Sequence, residues 1–374
     1  MSGLPNRTTV GADGSSSRAP DGRIGLDVAA VLTAATDALG RLGVPEGDAR
    51  ITATSLMRAE LDGATGHGLM RLPVLLERLR SGASNPTPTL AVLHEAPATL
   101  VLDADRGIGQ VVAVRAMEHA VERAQQTGVG LVTVRESTHM GRARDAALVA
   151  TDHDMVGLVL SNASPRLVRG PGASRLLGNN PIACAVPGRE RPVVIDVSPG
   201  VTTVGSIRLA ALENRPLPEG WALDVDGVPT TDPQAGFAGG MLAIGGHKGW
   251  VLALMMDLLT GVLSGGAIAG EVGPTQSTTR EQRVSHTFLA IDPAKLAGLA
   301  TVHDRVDALR AMVIEAGGGP DRLPGEASVV DVATVPGRAT VHLRPAVADA
   351  LVEALRVDGD DVTLAMLAAV EATS

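Results

Sequence analysis

Between residues 99 and 160 strand-like and helix-like runs alternate, and no other feature restricts the fold of this chain so severely. Thr99-Leu100-Val101-Leu102-Asp103 reads as a strand. Val111, Val112, Ala116, Met117, Ala120, Val121 and Ala124 then recur at helical spacing. Val129 to Val134 and Met155 to Leu160 are strand-like and flank a helix predicted from about Arg142 to Ala150. Such alternation defines an α/β domain. On either side the period is helical. Val28, Val31, Leu32, Ala35, Leu39 and Leu42 form one stripe, Leu72, Leu75, Leu76 and Leu79 another, and 301–317, 345–355 and 362–369 follow near the end. The predicted fold class is therefore α/β in an α+β arrangement. A discontinuous helical domain drawn from both termini (25–85 and 300–374) accompanies a central α/β domain (86–299), and residues 1–24 are expected to be a disordered leader.

Composition narrows the function classes. With no tyrosine, two phenylalanines and two tryptophans in 374 residues, the core must be aliphatic, and the aromatic platforms on which nucleic-acid bases stack are nearly absent. The net charge of -9 comes from scattered carboxylates, so neither nucleic acid nor an anionic membrane is an expected partner. The longest apolar run, Trp250 to Leu263, carries Asp257 and falls short of the ~20 residues a bilayer needs. It is expected to be a buried helix. A cytoplasmic location follows by default. Cys184 lies alone in an apolar stretch and reads as a core residue. The segment 270–279 reads as a mobile loop.

His139 draws attention because it closes the strand-like run ending at Arg135 and precedes a helix. In open α/β sheets ligands collect outside the carboxyl ends of strands, and an imidazole near a helix N-terminus feels a field that favours its neutral form. Such a group is suited to proton transfer near neutral pH. Gly107-Ile108-Gly109 opens like a dinucleotide fingerprint, but Val112 stands where the third glycine belongs. No acidic residue ends a second strand at the required distance. A standard Rossmann phosphate loop is therefore not expected here. Neither HExxH nor a Cys/His cluster of ligand spacing occurs, so no metal is expected.

Seven segments occur in one order: His67-Gly68-Leu69-Met70-Arg71-Leu72-Pro73, Glu136 to Gly141, Leu177-Gly178-Asn179-Asn180-Pro181-Ile182-Ala183, Ile195-Asp196-Val197-Ser198, Pro218 to Asp224, Thr230-Thr231-Asp232-Pro233 and Gly245-Gly246-His247-Lys248-Gly249. This order, from about Leu26 to Val330, resembles the type 2 malate/L-lactate dehydrogenase family, with its ureidoglycolate, sulfolactate, diketogulonate and cyclic-imine carboxylate enzymes. The resemblance implies hydride transfer between NAD or NADP and a small carboxylated substrate, without a metal. It implies a non-Rossmann fold and a homodimer whose partner helps complete the site, with the central domain binding nicotinamide. It also implies that Lys248, Asp196, Val197, Ser198, Gly325, Glu326 and Ala327 attend the cofactor, with Asn180 and Pro181 shaping the backbone and His247 packing nearby.

Reduction of a 2-oxo acid needs a proton for the developing alkoxide and a cation on the carboxylate. Arg71 meets the second need. It lies four residues after His67, so the two share a face if helix has begun there. His139 is favoured as the principal acid/base, with His67 polarising the carbonyl, while the reverse assignment stays open. Three positions depart from the family pattern. Gly66 replaces a serine, Leu75 a tyrosine and Ala163 a further serine, and each loss makes the pocket more apolar. A cyclic-imine reductase is therefore an alternative, and a degenerate nucleotide-binding or dimerising relative is another.

Overall fold

The computed structural model describes residues 22–170, 172–318 and 339–356, which form two compact units, one containing 22–87 with 339–356 and the other 88–318. The expected helix at 362–369 and the residues Gly325, Glu326 and Ala327 lie outside the described residues, as do residues 1–21 of the expected leader.

In the first unit, strand β1 (Ile24–Asp27) pairs antiparallel with β12 (Thr340–Leu343), Ile24 opposite Leu343. Ile24 is thus the start of a strand rather than the end of a leader. Asp27 then caps α1 (Val28–Arg41), its carboxylate accepting from the Ala30 amide at 2.8 Å. The apolar stripe of α1 packs on α2 (Glu46–Leu61), which begins just after Pro45. Two 3-10 turns, Thr65–His67 and Leu69–Arg71, lead into α3 (Leu72–Arg80), and α10 (Pro345–Leu355) packs on α3 and on the second turn. Leu351 and Leu355 of α10 join Leu72 and Leu76 in the core.

The second unit is built on a seven-stranded sheet in the order β2 (Ala91–Ala96), β3 (Thr99–Asp103), β4 (Val129–Ser137), β11 (Val284–Ile291), β5 (Val156–Ser161), β6 (Ile182–Val186) and β7 (Val193–Val197). Strands β3 and β4 are parallel, and β11 lies antiparallel between β4 and β5. The antiparallel pairs β5–β6 and β6–β7 make β7 parallel to β5. Inserting β11 between the two parallel strands separates this sheet from a Rossmann sheet. Helices α4 (Gly109–Thr127) and α5 (Ala143–Thr151) cover it through alanine-rich faces. A side chain at Gly130 would overlap the Ala120 carbonyl and one at Gly157 the Ala147 carbonyl, so these glycines let the helix backbones lie directly on the sheet.

A smaller layer holds α6 (Val204–Leu212), strands β8 (Ala222–Leu223), β9 (Pro229–Thr230) and β10 (Gly240–Met241), α7 (Pro233–Ala238) and α8 (His247–Asp257), around Leu167, Leu177, Ile207 and Met241. A π-helical turn, Leu258–Val262, continues α8.

Three further expectations differ from the structure. Helix α9 (Leu299–Val313) groups with the second unit rather than with the C-terminal helices, held there by Arg189–Asp304 and by Arg310 on the Arg191 carbonyl. The segment 270–279 is tethered, Thr275 to Ser164 at 3.1 Å and Gln276 to Arg208 at 2.7 Å. Finally, the apolar helix is only half covered: Ala253 and Met256 are buried, but Val251, Met255, Leu258, Leu259, Val262 and Leu263 are exposed. A helix apolar on every side must be covered, and its periodicity does not say whether by its own chain. Among the described residues no helix is long and apolar enough to cross a membrane.

Candidate active site

Because β3, β4, β5 and β7 run parallel, their carboxyl ends at Asp103, Ser137, Ser161 and Val197 lie at one end of the sheet, where α4 and α5 also begin. His139 follows β4 there. The preceding Thr138 hydroxyl donates to the Gly107 carbonyl and accepts from the Gly109 amide, both at 2.9 Å. A Cβ at Gly109 would sit 2.6 Å from the His139 carbonyl carbon, so α4 starts directly against the histidine's backbone. From the other side the His139 amide donates to Gln282 Oε1 at 2.9 Å. His139 Nδ1 accepts from the Gly141 amide at 3.2 Å, in a turn where Gly141 takes a positive φ of 81°. An accepting Nδ1 leaves the proton of the neutral ring on Nε2.

His286 supports this segment from beneath. Completely buried on β11, it lies with Nε2 3.2 Å from the Thr138 carbonyl and Nδ1 2.9 Å from Ser161 Oγ. The carbonyl can only accept, so Nε2 carries a proton, while the one Ser161 hydroxyl proton is shared between Nδ1 and the Asn162 carbonyl, 2.7 Å from Oγ. Burial pushes its pKa down to about 4, against the raising influence of the Thr138 bond, and the ring is neutral.

Further along the same end, Asp196 accepts from the Arg144 amide at 3.2 Å, at the start of α5. Solvent reaches part of Asp196, yet the protein crowded around it desolvates the carboxyl and raises its pKa, opposed by the amide and charge of Arg144. The chain after Ser198 meets the loop before α8. The Ile244 amide donates to the Pro199 carbonyl at 2.8 Å, Gly200 bridges to Ala243, and a side chain at Gly249 would come within 2.9 Å of the Pro199 carbonyl. Asp196, Val197 and Ser198 are therefore carried on a segment joined to the one bearing Lys248. Lys248 stands exposed in the first turn of α8 after Gly245 and Gly246, both at positive φ. His247 is exposed as well, rather than packed. Asn180 ties the region together, accepting from the Ala163 amide at 3.0 Å and donating to the Ala253 carbonyl at 2.8 Å.

The chemistry of this donor set suits an anionic dinucleotide. The N-terminus of α8 carries partial positive charge, glycines leave room above it, and an ammonium stands beside it.

His67 and Arg71 belong to the first unit. They occupy successive 3-10 turns rather than one α-helical face, because Gly68 breaks the run and α3 starts only at Leu72. Arg71 Nε donates to the Gly66 carbonyl at 2.7 Å, which orients the guanidinium from its inner edge. Both side chains are half-buried.

Three residues with a hold on these segments escaped the sequence reading: Gln282, His286 and Glu60. His286 was discoverable in principle, since a histidine inside the apolar run Val284–Ile291 needs internal partners. Glu60 gives a similar signal, a carboxylate on the buried stripe of α2. Gln282 gives none, because its partner lies 143 residues away. Cys184 is half-buried on β6, and burial pushes its thiol up. Among the described residues no group of three or more His, Cys, Asp or Glu side chains is placed to hold a metal ion.

Fold and site together define a mixed-sheet, non-Rossmann α/β protein with a braced histidine at the shared end of its parallel strands. Residues 26–359 match the malate/L-lactate dehydrogenase family, and the chain belongs to it. It is 37% identical over 283 residues to the malate dehydrogenase of Pyrococcus horikoshii, covering 74% of this chain and 76% of that one. To a (2R)-3-sulfolactate dehydrogenase (NADP(+)) of Chromohalobacter salexigens it is 37% identical over 295 residues, 78% and 87% of the two chains. In structure it resembles the delta1-piperideine-2-carboxylate reductase of Pseudomonas syringae pvar. tomato, with a TM-score of 0.78 at 27% identity over 88% of this chain and 99% of that one.

Proposed function

We propose that the protein is a nicotinamide-dependent dehydrogenase, using NAD or NADP, that interconverts a small 2-oxo acid and the corresponding 2-hydroxy acid. The observation that carries this reading is the bracing of His139 at the end of β4, held by Gln282 and Gly141 and backed by the buried His286. In the reduction, the bound nicotinamide supplies the hydride. Lys248, with the amides at the start of α8, holds a phosphate or ribose of the cofactor, and Asp196, Val197 and Ser198 lie along it. Arg71 grips the substrate carboxylate, His139 gives the alkoxide its proton, and His67 polarises the carbonyl. In the reverse direction His139 takes the hydroxyl proton.

One observation favours exchanging the two histidines. With Nδ1 engaged by the Gly141 amide, forming an imidazolium sets two N–H groups against each other, so His139 gives up that bond whenever it carries a second proton. A purely polarising role would keep it. Absence of hydroxyls at Gly66 and Ala163 likewise supports a cyclic-imine carboxylate as the alternative substrate. The absorbance of reduced nicotinamide, followed across a panel of 2-oxo acids and cyclic imines, tests the whole reading. Cofactor binding without turnover on any of them would identify a degenerate relative.

Cofactor and substrate roles separate cleanly by mutation. Lys248→Ala is expected to weaken cofactor binding about tenfold with little change in substrate KM. Arg71→Lys should raise substrate KM tenfold or more, roughly, with cofactor affinity kept, because an ammonium cannot reproduce the two-pronged grip nor the Nε bond to Gly66. Parallel losses for both ligands in either variant would remove that residue's assignment.

The protein also acts, in this reading, as a cytoplasmic homodimer. Six large apolar side chains, Val251, Met255, Leu258, Leu259, Val262 and Leu263, stand exposed along α8 and its continuation. A patch of this kind needs cover, and a second copy would provide it. Light scattering should give twice the mass of the chain, and a monomeric mass would end the idea.

A further inference from the structure

The first unit contains a buried acid to which none of the roles above is given. Glu60, in the last turn of α2, is 4% exposed and faces the His67–Arg71 segment. Its Oε2 accepts the Leu69 amide at 3.0 Å. Gly68 leaves the space that the carboxyl fills: a Cβ there would overlap Oε2 and come within 3.1 Å of both Cδ and the Glu60 amide. The carboxylate therefore sits against the break between the two 3-10 turns, with His67 on one side in sequence and Arg71 on the other.

We propose that Glu60 is a positioning residue: its carboxylate holds the Gly68–Leu69 break in place and thereby sets the order of the turns that carry His67 and Arg71. The catalytic consequence rests on the role given to Arg71 above, whereas the hold on the segment does not. Geometry supplies the argument. A backbone amide bonded to a buried anion is held more firmly than one bonded to a neutral group. At Gly68 the space left by the missing side chain admits the carboxyl, and its bond adds to the backbone bonds of the two turns, Gly68 to Thr65 and Arg71 to Gly68.

The surroundings make this hold responsive to pH. Arg23 and Arg344 draw the carboxyl down by their charge, as does the Leu69 amide, but desolvation outweighs them and leaves Glu60 with a pKa of about 7. The buried face of α1, which packs on α2, presents only Val28, Val31, Ala34, Ala35, Ala38 and Leu39. The two turns contribute His67 and Arg71 as their titratable and charged groups. Near neutrality the anion is thus formed as pH rises and lost as it falls.

Hydrogen exchange tests the proposal without any ligand. Between about pH 6 and about pH 8, after correction for intrinsic rates, protection of a peptide covering the turns should rise several-fold, roughly up to tenfold, in the wild-type protein. Glu60→Gln keeps the shape and an acceptor oxygen but cannot ionise, and should abolish that rise while a peptide from β4, in the second unit, stays unchanged. Gly68→Ala, which pushes into the carboxyl, should lower protection at both pH values. In parallel, the KM for oxaloacetate should fall with pH in the wild type and lose that dependence in Glu60→Gln, with kcat much less affected. A wild-type pH response that persists in Glu60→Gln overturns the proposal. Loss of the exchange response with no change in the KM of any 2-oxo acid would keep the hold of Glu60 on the turns and overturn the role of Arg71 instead.

Discussion

Replacing His139 by alanine is expected to lower turnover by about a hundredfold or more while leaving cofactor affinity close to that of the wild type. The expectation is specific because the backbone of the segment does not depend on the imidazole. Thr138 is held by Gly107 and Gly109, its carbonyl by His286, and the His139 amide by Gln282. Removing the ring forfeits the Gly141 bond but none of these backbone contacts, so the strand end should keep its shape and the lost rate should report chemistry. His67→Ala should cost less. Steady-state kinetics on both variants, with cofactor titrated by fluorescence, decide the matter. If His67→Ala abolishes turnover and His139→Ala keeps near-normal rates and pH dependence, the two roles exchange, as the Gly141 bond would favour. If neither changes the rate, neither histidine handles the proton.

What local sequence could show of this molecule follows from the range over which each signal acts. Strands β3, β4 and β5 and helices α1, α3, α4 and α5 rest on periodicity within one element, and the reading found them within a few residues. The antiparallel insertion of β11 between β4 and β5 rests on pairing across more than a hundred residues, as does the pairing of β1 with β12 across some three hundred, and neither leaves a local trace. Helix α8 shows the same boundary from another side: its apolar run was visible, its uncovered face was not.

The candidate site divides in the same way. His139 stood out because a strand ended beside it. The arrangement that gives its ring a defined tautomer, a glycine amide two residues on, is a matter of backbone φ and not of residue type alone. His67 and Arg71 were legible as a pair, but the helical spacing that would have put them on one face is broken at Gly68, where a carboxylate from α2 occupies the gap.

The two units should respond to pH in opposite directions through their most deeply buried titrating groups, His286 in the second and Glu60 in the first, each moved by desolvation. His286 falls from 6.5 to about 4 in the folded protein. A histidine depressed in this way contributes stability that is present above its unfolded value and lost as pH falls through the folded one. His286 should therefore weaken the second unit by about 3 kcal/mol between about pH 6.5 and about pH 4, a loss that the carboxyls of Asp196 and Asp257, raised by desolvation, oppose. Glu60 is raised from 4.5 to about 7. A raised acid contributes stability that is complete below its unfolded pKa and is lost as pH climbs through its folded one, so the first unit should weaken against global unfolding over about pH 4.5 to about pH 7 by a similar amount, about 3 kcal/mol. A local opening of the turns that leaves Glu60 buried loses only the Leu69 bond and responds in the opposite sense. Hydrogen exchange of β4 and β11 follows one unit and that of α1 and α10 the other. Glu60→Gln should flatten the decline of the first unit and leave the second untouched. His286→Gln, which keeps a donor for the Thr138 carbonyl, should remove the acid weakening of the second unit. It should do so even if the substitution lowers stability at neutral pH, because a group that no longer titrates cannot contribute a slope. An acid weakening of the second unit that survives in His286→Gln would mean that the buried imidazole is not its source.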